Sequence, residues 1–189
     1  MPKQTPSQTV GPFFASGLVA GGENLLVDDE TAGERIYLRG TVYDGDGQPV
    51  PDALVEIWQA DAQGIYNHPA DPRCARADPH FRGFGRAETV DGGEFWFKTI
   101  RPGRVPAEDG QLQAPHVDVR VFARGLLTHA VTRLYFAGEA ENEADPVLRA
   151  VAPQRRQTLI ARRVEGNDLP TYRLDIHLQG AQETVFFNP

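Results

Sequence analysis

At 189 residues the chain is sized for one domain, and 26 acidic against 19 basic side chains leave a formal charge of −7. That balance argues against a nucleic-acid groove or an anionic membrane surface. No window approaches the ~20 apolar residues that a membrane helix needs. The single cysteine, Cys74, excludes an internal disulfide and favours a reducing compartment. The opening Met1–Pro6 carries no apolar signal core, so a cytoplasmic protein is expected.

The 19 glycines and 15 prolines are spread along the chain, as expected for many turns between short strands. Residues 1–33 read as an extended amino-terminal arm. Gly11-Pro12, Gly17 and Gly21-Gly22 interrupt any regular element, yet Phe13, Phe14, Leu18, Leu25 and Leu26 are apolar. Such an arm is expected to lie against its own domain or another chain. The domain then occupies 34–189.

From Arg35 the pattern turns to β. Ile36, Leu38, Gly40 and Val42 alternate with Tyr37, Arg39, Thr41 and Tyr43, and Asp44–Gly47 is a tight turn. Leu54–Gln59 is a second strand. Asn67–Arg86 reads as one long loop, with three prolines, two glycines and four arginines. Strands follow at Glu94–Ile100, His116–Phe122, Val131–Phe136, Tyr172–Leu178 and Thr184–Phe187. In His116–Phe122 the three valines share one face, and His116, Asp118, Arg120 and Phe122 the other. Short helices are expected over Asp145–Ala150 and Gln154–Arg162. The fold class is therefore all-β: an antiparallel β-sandwich with long loops and one or two short helices.

Few residues offer chemistry. His116 and Asp118 lie two apart on a strand, so both side chains share a face and can reach one metal, with Tyr66, His68 or His80 folding over from the loop. The competing reading is a polar strand face that is solvated or internally paired. Cys74 sits among arginines that can lower a thiol's pKa, but an incidental free thiol is the stronger reading. There is no Gly-x-Ser-x-Gly elbow, Walker loop or Gly-x-Gly-x-x-Gly after a strand. Arg124, just past a strand end, suits a small carboxylate through a bidentate guanidinium contact, or a plain ion pair.

Several longer stretches carry more. Gly40-Thr-Val-Tyr-Asp-Gly-x-Gly-x-Pro-Val-Pro-Asp-Ala-Leu-Val-Glu-Ile-Trp-Gln-Ala-Asp-x-x-Gly-x-Tyr66, Phe84-Gly-Arg86, Thr99-Ile-Arg-Pro-Gly103, Ala114-Pro-His116, Arg133-Leu-Tyr-Phe136 and Tyr172-Arg-Leu-Asp-Ile176 occur in that order. Together they resemble the intradiol ring-cleaving dioxygenases. The opening Thr5-Pro-Ser-Gln-Thr9-Val-Gly11-Pro12 and the closing Glu183-Thr-Val-Phe-Phe187 resemble the alpha-type chain of the family's two-chain members.

The resemblance implies a non-haem ferric iron held by two tyrosines and two histidines. On this chain the four positions are Tyr66, Val105, His116 and Asp118, so one phenolate and one imidazole are lost. An arginine of the family motif falls at about Gln113. The expectation is therefore a chain with no metal and no catalytic residue of its own. Fe(III) is expected on a homologous beta partner within a large alpha–beta hetero-oligomer. Thr9, Gly11, Pro12 and Arg124 are the positions implied to complete that partner's pocket. The implied reaction is cleavage of 3,4-dihydroxybenzoate by O2 to 3-carboxy-cis,cis-muconate, in aromatic-compound catabolism. Two rivals remain: a self-sufficient dioxygenase with an atypical site of Tyr66, His116 and Asp118, and a binding module that kept the fold without chemistry.

Overall fold

The computed structural model describes residues 11–13, 17–90, 92–107, 109–165 and 168–188. Among these, nine strands are present: β1 Arg35–Tyr43, β2 Leu54–Trp58, β3 Phe84–Glu88, β4 Glu94–Ile100, β5 His116–Phe122, β6 Ala130–Phe136, β7 Ile160–Val164, β8 Thr171–Arg173 and β9 Ile176–His177. They form one sheet in the order β3-β2-β5-β6-β7-β8-β1-β4, with β9 on β1. The end strands β3 and β4 also pack together, so the sheet curls nearly closed.

Period-two patterning builds this shell. β1 buries Ile36, Leu38 and Val42, while β5 buries Val117, Val119 and Val121. Phe81, Phe95, Phe97, Phe136 and Ile100 fill the space between. Each such side chain stabilises the fold by about 1.5–3 kcal/mol when taken from water. A smaller cluster of Ala114, Tyr135, Leu148, Val151 and Leu159 lies beside it. It is closed by α1, Pro146–Ala150, which Asp145 caps by accepting from Val147 N and Leu148 N.

The expected sandwich needs correction. The sheet is mixed: β1–β8, β1–β9 and β6–β7 are parallel. The long segment between β6 and β7, which includes α1, supplies the crossover that a parallel pair requires. The expected helix Gln154–Arg162 is a 3-10 helix, Pro153–Leu159, that runs directly into β7. Tyr172–Leu178 is two strands: Asp175 Oδ1 accepts the Thr41 N–H at 2.9 Å, replacing a ladder bond at the break. Residues 184–187 form no strand, although Phe187 N bonds Val131 O. The last residues of the supposed loop Asn67–Arg86 belong to β3.

Much of the arm's second half is part of the domain. Leu26 is fully buried, its N–H bonds Lys98 O, and Arg82 N bonds Leu26 O. Among the described residues no helix is long and apolar enough to cross a membrane.

Candidate functional site

Two loops meet at one end of the curled sheet. After β2 the chain turns at 61–64, where Asp61 Oδ1 accepts from Gln63 N and Ile65 N and Gly64 N bonds Asp61 O. Gly64 has φ +74, and a Cβ there would lie 1.9 Å from Arg104 O. Only glycine permits that backbone approach. Gly103 N bonds Asp61 O at 2.8 Å from the other side. This fastening places Tyr66 and Val105 in the wall of one cavity of about 470 Å³, with Trp58, His68, Arg73 and Pro106. The Tyr66 ring stacks on Trp58, centroids 5.6 Å apart and nearly parallel, while His68 meets the same indole edge-on.

β5 presents the other residues. Trp58 pairs with Asp118 across β2–β5, and Asp118 pairs with Arg133 across β5–β6. Arg133 Nε donates to Asp118 Oδ1 at 2.8 Å, and Arg133 Nη1 donates to Gln113 Oε1 at 2.7 Å. Gln113 N in turn bonds Val105 O. His116 is 2% exposed. Its Nδ1 lies 2.8 Å from Ala114 O, so Nδ1 carries the proton and Nε2 the lone pair. Nε2 is buried with no hydrogen-bond partner. Ala114 is itself held, its N–H donating to the fully buried Asp145, which also accepts from Tyr135 Oη.

The electrostatics follow from burial and Arg133. Burial raises the Tyr66 phenol well above its ordinary pKa, Asp118 adds to the rise, and Arg133 opposes it. Tyr66 is thus a neutral phenol at physiological pH. Burial also lowers His116, and the Arg133 charge lowers it further, so the imidazole is neutral. Burial works against the Arg133 charge, but Asp118 and Tyr135 outweigh it.

Ferric iron does not fit these residues. The orphaned His116 Nε2 is a competent donor, but Val105 offers none. Asp118 is already engaged by Arg133 at 2.8 Å. The guanidinium, permanently charged, is bonded directly to a would-be ligand. Among the described residues no group of three or more His, Cys, Asp or Glu is arranged to hold a metal. The described residues of the site can bind, stack and hydrogen-bond.

The remaining sequence candidates lie elsewhere. Arg124 follows β5 at the end opposite His116, about 20 Å along the strand. Its Nε donates to Asp52 Oδ1 at 3.0 Å, and its side chain is 57% exposed. Gly11 and Pro12 lie in a 3-10 turn, Gly11–Phe13, with Gly11 at φ +63 and Phe13 exposed. Thr9 lies outside the described residues. His80 does not join Tyr66; it pairs with Asp28 and Glu30. Cys74 is half-buried in a short 3-10 turn. Sequence reasoning missed Arg133 as a site residue. Its signal was an arginine within a strand whose alternate positions, Thr132 and Leu134, face the core.

The family model described as Dioxygenase matches residues 10–180. The chain is 44% identical to the protocatechuate 3,4-dioxygenase alpha chain of Pseudomonas putida, over 98% of this chain and 96% of that one. It is 36% identical to the protocatechuate 3,4-dioxygenase beta chain of Burkholderia cepacia, over 86% of this chain and 72% of that one. Among solved structures, the dioxygenase domain of a carbohydrate-binding fusion from Streptomyces sp. SirexAA-E superposes with a TM-score of 0.64 at 26% identity, covering 95% of this chain and all of that one. The ordered motifs, the curled sheet and the two converging loops thus have a common origin: the chain belongs to the intradiol dioxygenase family.

Proposed function

We propose that this chain is the alpha-type subunit of a protocatechuate 3,4-dioxygenase. It carries no iron and completes the active site of a homologous, iron-bearing beta subunit in a cytoplasmic hetero-oligomer. The assembled enzyme cleaves 3,4-dihydroxybenzoate between its two hydroxyl carbons. Both atoms of O2 enter the product, 3-carboxy-cis,cis-muconate. The observation that carries this reading is the remnant site: Val105 has no donor, and Arg133 bonds Asp118 at 2.8 Å where a metal would need that carboxylate. Similarity along almost the whole chain to an alpha chain supports it.

The chain's own contributions lie away from that remnant. Arg124, exposed at the β5–β6 turn, supplies a cation suited to a substrate carboxylate or its approach path. Thr9, Gly11 and Pro12, on the arm of residues 1–33, form a narrow wall of the partner's pocket, and the domain of 34–189 is the scaffold.

Purification with and without a beta chain tests this. Alone, the chain is expected to be colourless, free of iron and inactive. Co-expressed, it should co-purify with the beta chain and give a red-brown, iron-loaded enzyme. A tyrosinate charge-transfer band or ring cleavage by the isolated chain overturns the proposal in favour of a self-sufficient site. Failure to form any complex overturns it in favour of a binding module.

A further inference from the structure

We infer that Arg133 is a built-in counter-cation: bonded to Asp118 across the β5–β6 register, this one side chain keeps Asp118, His116 and Tyr66 from binding a divalent metal ion. The inference rests on the reading that this chain carries no iron, and goes beyond it by naming the residue responsible.

A valine at position 105, in place of a donor, does not by itself abolish metal binding. One carboxylate, one imidazole lone pair and one phenol oxygen remain, a mixed oxygen and nitrogen set suited to first-row divalent ions. The shell that would orient the imidazole is intact. His116 Nδ1 donates to Ala114 O at 2.8 Å, and Asp145 holds the Ala114 N–H at 2.8 Å. A histidine ligand needs that arrangement, because its other nitrogen must be fixed by a hydrogen bond. Nothing else among the described residues uses Nε2, which is buried without a partner. A buried polar atom left unsatisfied is costly, so its persistence beside an intact orienting shell points to a displaced ligand.

Arg133 is fastened as the displacing group. It donates to Asp118 Oδ1 at 2.8 Å and to Gln113 Oε1 at 2.7 Å, so two of its five N–H donors are bound from different strands or loops. Gln113 is tied to the Val105 segment through Val105 O at 2.8 Å. The register sets Arg133 directly opposite Asp118. Its charge also bears on both Tyr66 and His116. A guanidinium stays protonated at any pH the fold survives. It therefore repels a metal cation and ties up the one anionic donor at the same time.

The test compares the full chain with Arg133→Gln, using Co(II) alone as the probe in equilibrium dialysis and by its visible absorption. The neutral variant is expected to bind one Co(II) per chain at least ~100-fold more tightly than the unaltered chain, given the field of a unit charge at hydrogen-bond range. The His116 ring resonances should shift or broaden on binding. Arg133→Lys, which keeps the charge, should restore exclusion. Adding His116→Gln to the Arg133→Gln background should abolish the gained site. Arg133→Met, which retains the buried stem, serves if the glutamine variant is unstable. A folded neutral variant that binds Co(II) no better than the unaltered chain overturns the inference, as does binding that survives His116→Gln. Tight binding by the unaltered chain instead overturns the iron-free reading beneath it.

Discussion

Replacing Arg124 with alanine separates a role in this chain's fold from a role in the assembled enzyme. Within the chain, Arg124 meets Asp52 at 3.0 Å, and its side chain is 57% exposed. An exposed pair of this kind contributes ~0.2–1 kcal/mol, so the variant should melt within a few degrees of the unaltered chain. In the assembly, the proposed contact with a substrate carboxylate is charge-assisted and contributes ~1.5–3 kcal/mol. At 1.36 kcal/mol per factor of ten, kcat/KM for 3,4-dihydroxybenzoate should fall by ~10- to 150-fold. The iron content per pair should not change, because Arg124 is proposed to meet the substrate and not the iron. The assay is oxygen uptake under steady state, with the variant co-purified with the beta chain. Asp52→Ala serves as a control: it frees the guanidinium without removing it and should cost much less. If the intact Arg124→Ala assembly keeps kcat/KM within roughly twofold of the parent, the placement of Arg124 in the working pocket is refuted.

Other expectations rest on geometry in the chain itself. The Asp71 carboxyl is held down to about 2, chiefly by the Arg73 guanidinium, which contacts it at 3.0 and 2.8 Å. Its folded pKa lies below the unfolded one, so the pair stabilises the fold above about pH 4 and loses that effect as pH falls towards 2. The contribution is at most ~2 kcal/mol, and urea midpoints of Asp71→Asn and the parent should converge over that window; a gap independent of pH contradicts it. Gly64→Ala sets a Cβ 1.9 Å from Arg104 O at positive φ. It should destabilise the chain by ~2 kcal/mol or more and separate the Tyr66 and Val105 loops; an unchanged melting temperature rules this out. Asp145→Ala removes the α1 cap and strands the Ala114 N–H and Tyr135 Oη. A loss of ~3–5 kcal/mol in denaturant unfolding is expected, and a loss below ~1 kcal/mol would show that the capping network adjusts around the gap.

The sequence by itself determined the family and the β character. Alternating burial on β1 and β5, and the turns between them, depend on neighbours in the chain, so they were legible. The expectation that Val105 and Asp118 stand at ligand positions came from the order of the motifs alone. Topology was not legible, since parallel pairings such as β6 with β7 depend on where a crossover returns, which no local period records. A strand hidden behind prolines, Phe84–Glu88, and a helix-like stretch that turns out as 3-10 and strand were misread for the same reason: tertiary pairing outweighs weak local preference. Only the tertiary structure decided what Asp118 pairs with. Asp118 and Arg133 are fifteen residues apart in sequence and read separately as ordinary charges. The β5–β6 register sets them face to face, with Gln113 bonded to the same guanidinium.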